Sequence, residues 1–190
     1  MNDFLPNDYK LPETSNYMKF EEGANTFRVL SSAIIGNEFW QYNEDGKATP
    51  VRRRMDEPIT GDELQVNPQT GEIDPPKHFW AFVVWNREAE KIQILEITQK
   101  GIQKDIKALT SSPKWGDPKE YDICVTRTGK GKQTEYSVMP EPKEKLDEGI
   151  IRLYKDMKID LEALFSNGDP FASTSKAEKI ADDVEKILGE

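Results

Sequence analysis

The run from Lys77 to Leu109, KHFWAFVVWNREAEKIQILEITQKGIQKDIKAL, leaves the chain few folds to choose from. His78–Trp85 and Ile92–Thr98 are dense in aromatic and β-branched residues, the side chains that suit a pleated, half-buried surface. The polar NREAEK between them is long enough to turn a hairpin and too short for a parallel crossover. Gly101 breaks the second strand, and Ile102, Ile106 and Leu109 then recur at helical spacing. Strand, turn, strand and short amphipathic helix follow one another directly. Few small β folds place a helix there.

The flanking sequence supplies three more strands. Thr26–Ile35 alternates, with Phe27, Val29, Ser31 and Ala33 on one face; Gly36-Asn37 suggests a bulge or bend before the aromatic cluster Phe39, Trp40 and Tyr42. Residues 43–76 hold five prolines and three glycines and read as a long insertion between the first and second strands, with room for a small hairpin of its own. Tyr121–Thr128 and Thr134–Met139 are two further strands around a tip, Gly129-Lys130-Gly131-Lys132. Behind them, Asp147–Phe165 has helical spacing with a break near Lys158, and Ser175–Leu188 reads as a short acidic amphipathic helix. The order is strand, long loop, strand, strand, helix, strand, strand. It predicts a mainly β chain: an OB-fold, the five-stranded Greek-key barrel with a helix between strands 3 and 4, followed by a helical acidic C-terminal extension.

Composition agrees with one barrel and polar appendages. Of 190 residues, 36% are hydrophobic and 32% charged, with a mean hydropathy of −0.75. The expected division is an extended arm over 1–16, a nucleic-acid-binding domain over 17–145 with its insertion at 43–77, and an acidic tail over 146–190. No apolar run approaches the roughly 20 residues of a membrane span. The N-terminus lacks a basic start and an apolar signal core, so an intracellular protein is expected. Cys124 is the one cysteine and His78 the one histidine, which excludes an intrachain disulfide and an ordinary structural zinc site. No cofactor or metal is expected.

The net charge of −9 at first argues against a nucleic-acid partner, but acids outnumber bases by five behind residue 145 and by only two over 19–145. OB barrels bind oligonucleotides on strands 2 and 3 and with the loops joining strands 1–2 and 4–5. Those two loops carry the basic clusters: Arg52, Arg53 and Arg54 in the first, Lys130 and Lys132 in the second. Trp40 and Tyr42 end strand one, Trp80, Phe82 and Trp85 lie on strand two, and Tyr136 on strand five. Cations tracking phosphates and rings stacking on bases are what single-strand binding needs. Both faces of strand two are apolar, so each ring could equally be core. Trp80 and Phe82 are assigned outward because Ala81 and Val83 suit a narrow barrel interior.

The wording of EEGANTFRVL, HFWAFVVWN, IQILEITQKGIQKDIKAL and KWGDPKEYDICVTR resembles phage-type single-stranded DNA-binding proteins, relatives of the helix-destabilising protein of T-even phages. The resemblance covers about residues 17–145, and Gly23, Asn25, Arg28 and Leu30 are its most recognisable element. It implies a non-catalytic OB-fold that coats single-stranded DNA in replication, recombination or repair, with an acidic tail that recruits other replication or recombination proteins. Two features depart from it. Residues 43–77 contain no cysteine for the zinc site of the T-even protein, and MNDFLPNDYK is mildly acidic where the T-even arm is basic and drives cooperativity. The candidate interface is Arg28, Trp40, Tyr42, Arg52, Arg53, Arg54, Lys77, Trp80, Phe82, Arg127, Lys130, Lys132 and Tyr136. Two other classes compete. One is an OB-fold protein-interaction module or phage assembly factor acting through the acidic tail. The other is a nuclease using magnesium on Asp56, Glu57, Asp62, Glu63, Glu72 and Asp74, disfavoured because these acids sit in a Pro/Gly-rich loop.

Overall fold

The computed structural model describes residues 15–174. In chain order the strands are β1 (Tyr17–Met18), β2 (Gly23–Val29), β3 (Ile34–Tyr42), β4 (Ala48–Arg54), β5 (Lys77–Asn86) and β6 (Lys91–Ile97). Helix α1 (Lys100–Ser111) follows, then β7 (Asp122–Thr128), β8 (Glu135–Pro140) and helix α2 (Glu148–Met157). A 3-10 turn over Leu161–Ser166 comes last. The protein is mainly β, and a helix stands between two pairs of strands as the hydrophobic pattern requires. The residues 1–14 of the expected arm and the expected helix at Ser175–Leu188 lie outside the described residues.

One sheet runs in the order β1-β6-β5-β2-β7-β8, with β3 paired to both β5 and β4. Among the described residues no strand pairing joins β8 to β6, so the sheet is open there, with α1 packed beside β8. The long first strand is two strands, and the bend falls at Leu30–Ala33, not at Gly36-Asn37. Val29 pairs with Val84 and Ile34 with Ala81. In the gap, Leu30 N–H donates to Val83 O at 2.9 Å and Val83 N–H donates to the Ser31 hydroxyl oxygen at 2.8 Å. A side chain thus supplies the acceptor that the bent backbone withdraws. Gly36 has a different duty: a Cβ there would lie 2.3 Å from Arg53 O and about 3 Å from the Phe79 and Phe165 rings.

The insertion is more ordered than its prolines suggest. Ala48–Arg54 is a strand paired along β3 from Tyr42↔Ala48 to Gly36↔Arg54. Pro50 is tolerated because β4 pairs with β3 alone, so one edge needs no donor. A bridge between Val66 and Ile73 forms the small hairpin expected within the insertion.

Two cores lie on opposite faces of β5 and β6. Phe27, Val29, Phe82, Val84, Leu95, Ile97, Ile123 and Val125 pack with Ile102 and Ile106 of α1 on one side. Phe79, Ala81, Val83, Ile92 and Ile94 pack on the other side against Leu161, Leu164 and Phe171. This corrects the outward assignment of Trp80 and Phe82. Phe82 is 3% exposed in the α1 core, Trp80 packs against the same core, and Ala81 and Val83 occupy the opposite face. Small residues stand there because the C-terminal segment lies on them. Asp147 caps α2 by accepting from Gly149 N at 2.7 Å, and Lys158, at φ 48°, ends it where the sequence pattern breaks. The described part of the 146–190 stretch therefore contributes core side chains as well as charge.

Candidate nucleic-acid interface

Strand parity decides which groups share the face opposite α1. On β3 these are Gly36, Glu38, Trp40 and Tyr42; on β4 they are Pro50, Arg52 and Arg54, cross-strand from Trp40, Glu38 and Gly36. Residues 154–171 cover the β5–β6 part of this face through Tyr154, Met157, Ile159, Leu161, Leu164, Phe165 and Phe171. What stays open is the β3–β4 hairpin beyond that cover.

The arginine triplet lies in a strand, not a loop, and every member is paired. Arg52 Nη2 lies 2.9 Å from Glu38 Oε2 and 2.8 Å from Glu96 Oε2, with its guanidinium over the Phe79 ring. Arg53 pairs with Glu63 at 2.6 Å and sits over Phe39. Arg54 pairs with Glu162 and lies 4.4 Å from the centroid of Phe165. Burial, a hydrogen bond to Glu96 and the repulsion of Glu96 together push the Glu38 carboxyl up to about 8, against the pull of Arg52.

At the hairpin tip, Trp40 and Tyr42 line a cavity of about 400 Å³ with Gly46, Lys47, Ala48, Asn67, Gln69 and Asp74. Both rings are half-buried, with Lys47 exposed beside them. The Tyr42 hydroxyl donates to Asp74 Oδ2 at 3.2 Å, and Asn67 Nδ2 donates to the same oxygen at 2.9 Å. Desolvation first, then that hydrogen bond and the Asp74 charge, hold the Tyr42 phenol above its ordinary 10.0. Gln65 Oε1 accepts from Tyr42 N at 2.7 Å and ties the insertion back to β3.

The other predicted residues are placed elsewhere. Arg28 is 1% exposed; its Nε donates to Asp122 at 2.7 Å and its Nη1 to Glu144 O at 2.9 Å, so it braces β2 against β7 and the 143–146 linker. It is not a surface contact. Trp80 Nε1 donates to His78 Nε2, while His78 Nδ1 faces Gly36 O at 2.8 Å. Arg127 donates to Phe20 O, and Tyr136 packs on the Phe20 ring and the α1 core. Lys77 is exposed at the start of β5 opposite Glu38. Lys130 and Lys132 are exposed at a tip beyond the Gly23↔Arg127 pair, past the Asn86 end of β5. The two basic clusters therefore stand at opposite ends of β5, and the fold does not bring them together. Sequence reasoning missed Lys47, Asn67 and Gln69, although Asn67-Pro68 is a turn signal that returns the chain toward the Trp40 strand.

A curated protein of Escherichia phage T5, a "Probable ssDNA-binding protein", is 27% identical over 143 residues, covering 64% of this chain and 53% of that protein. The chain spans about half the length of this relative, and kinship with the T-even proteins in particular is not shown by the match. No family model matches the chain. No solved structure matches it. Among the described residues no helix is long and apolar enough to cross a membrane.

Proposed function

We propose that this chain is an OB-type barrel protein that binds single-stranded DNA without catalysing a reaction on it. The likeness to the phage T5 protein carries the reading. The strand–strand–strand–helix–strand–strand order supports the OB assignment, with β2 and β3 together as the bent first strand and β5 and β6 as the next two. On this reading the strand does not run across β5–β6, where Leu161, Leu164 and Phe171 lie. It runs along the β3–β4 hairpin, where Trp40 and Tyr42 offer ring faces and Lys47, Lys77 and Arg54 offer charge to phosphates. Replication, recombination or repair is the proposed setting. Partner proteins would read the polar side of α2 (Glu148, Arg152, Asp156) or the acidic residues beyond 174.

Titration of tryptophan fluorescence with a mixed-sequence oligonucleotide at low salt tests this. Binding should quench the signal, and Trp40→Ala should remove most of the quench and weaken binding by the roughly 1–3 kcal/mol of one base stack. No quench and no retardation of the oligonucleotide at low salt would overturn the proposal and favour a protein-interaction role for the acidic C-terminal stretch.

A further inference from the structure

The cavity at the hairpin tip is built for more than a stacking platform. A platform needs ring faces and nearby positive charge, and accepts every base alike. Here a carboxylate is fixed beside the rings. Asp74 Oδ2 already accepts from the Tyr42 hydroxyl and from Asn67 Nδ2. Two donors engage that oxygen and hold the carboxylate in the cavity wall, which leaves the acceptor capacity of Oδ1 for a ligand. Asn67 Oδ1 accepts from Gln69 N at 2.9 Å, which orders the turn that carries the Gln69 side chain to the same wall. Lys47 supplies a second donor at the rim.

Base chemistry discriminates at such a wall. Cytosine presents an exocyclic amino donor beside a ring-nitrogen acceptor; thymine presents a carbonyl in place of that amino group. One fixed carboxylate oxygen next to amide and ammonium donors matches the cytosine edge, because aspartate accepts from the cytosine N4 amino group. The thymine carbonyl in the same place would face the carboxylate and leave both without a donor, a mismatch that polar sites penalise.

We propose that this cavity is a base-reading subsite that takes one unstacked base of the bound strand between Trp40 and Tyr42 and prefers cytosine to thymine, with Asp74 as the acceptor and Gln69 and Lys47 as donors. The inference rests on the proposed DNA-binding function and gives it a sequence preference that a purely stacking surface would lack.

Competition between oligo-dC and oligo-dT of equal length, at one salt concentration and with the full chain, tests it. Oligo-dC should bind about 5- to 10-fold more tightly, the lower end of what one base-edge contact supplies. Asp74→Asn keeps an acceptor for Tyr42 and Asn67 and turns an amino group toward the cavity, so the preference should vanish or reverse toward oligo-dT. Gln69→Ala, which leaves the Tyr42–Asp74–Asn67 brace intact, should reduce the preference by lowering oligo-dC affinity. Loss of a structural brace alone would weaken both ligands equally. Equal affinity of the wild-type chain for the two ligands, or an unchanged preference in folded Asp74→Asn, overturns the subsite and leaves single-strand binding standing. Failure to bind either ligand at low salt overturns both.

Discussion

Glu38 is the residue whose chemistry the fold changes most. It sits with Glu96 around a single guanidinium, and one positive charge cannot balance two carboxylates in a buried place. Desolvation first, then the proximity of Glu96, raises the Glu38 carboxyl from an ordinary 4.5 to about 8, so near neutral pH the pair holds a proton between them. Between those two values the folded chain binds a proton that the unfolded chain has released. The contribution to stability is therefore complete below pH 4.5 and is lost as pH climbs through about 8. Glu38→Gln mimics the protonated form. It should flatten the dependence of Tm on pH across that window and melt above the wild type at alkaline pH. A wild-type Tm that does not fall over the window would show that Glu38 is ionised throughout.

At the scale of elements, the segment 154–171 explains both what the sequence conveyed and what it hid. The β5–β6 hairpin, α1 and the break of α2 at Lys158 were legible, because period and punctuation are local. The parity of β5 was not. Phe79, Ala81 and Val83 are as apolar as Trp80, Phe82 and Val84, since the first set lies under the C-terminal segment and the second over α1. A strand covered on both faces shows a continuous apolar run and no alternation. Arg52, Arg53 and Arg54 misled for a related reason. A polar, proline-bearing stretch reads as loop, yet an edge strand accepts Pro50 and uses its charges on acids distant in sequence, Glu96 and Glu162. If 154–171 is an integral layer, Leu164→Ala, a truncation at a 3% exposed site, should lower the free energy of unfolding by about 2–5 kcal/mol in one cooperative urea transition. A separate early transition, with the main one unmoved, would make the segment an independent flap.

For the whole molecule, the net charge of −9 and the proposed DNA partner are reconciled by where the positive groups are engaged. Around the hairpin each arginine already faces a carboxylate, so a phosphate that reaches Arg54 must first displace Glu162. That exchange releases little beyond what the ion pair already neutralised, whereas Lys47 and Lys77, exposed and without an ion pair among the described residues, release their counterions in full. With about two to four phosphates engaged, the slope of log affinity against log salt should be shallow, roughly −1.4 to −2.8 at about 0.7 per phosphate on a single strand. Glu162→Gln removes the nearer of the two carboxylates on Arg54, leaving Glu57 at 4.0 Å, and keeps a side chain of the same length on an exposed turn. Affinity at low salt should then rise and the slope steepen by roughly 0.7, the signature of one more phosphate contact. An unchanged slope would mean that Arg54 serves only to hold Phe165 and the C-terminal segment against β4, and that the path of the strand lies entirely on the Trp40 side of the hairpin.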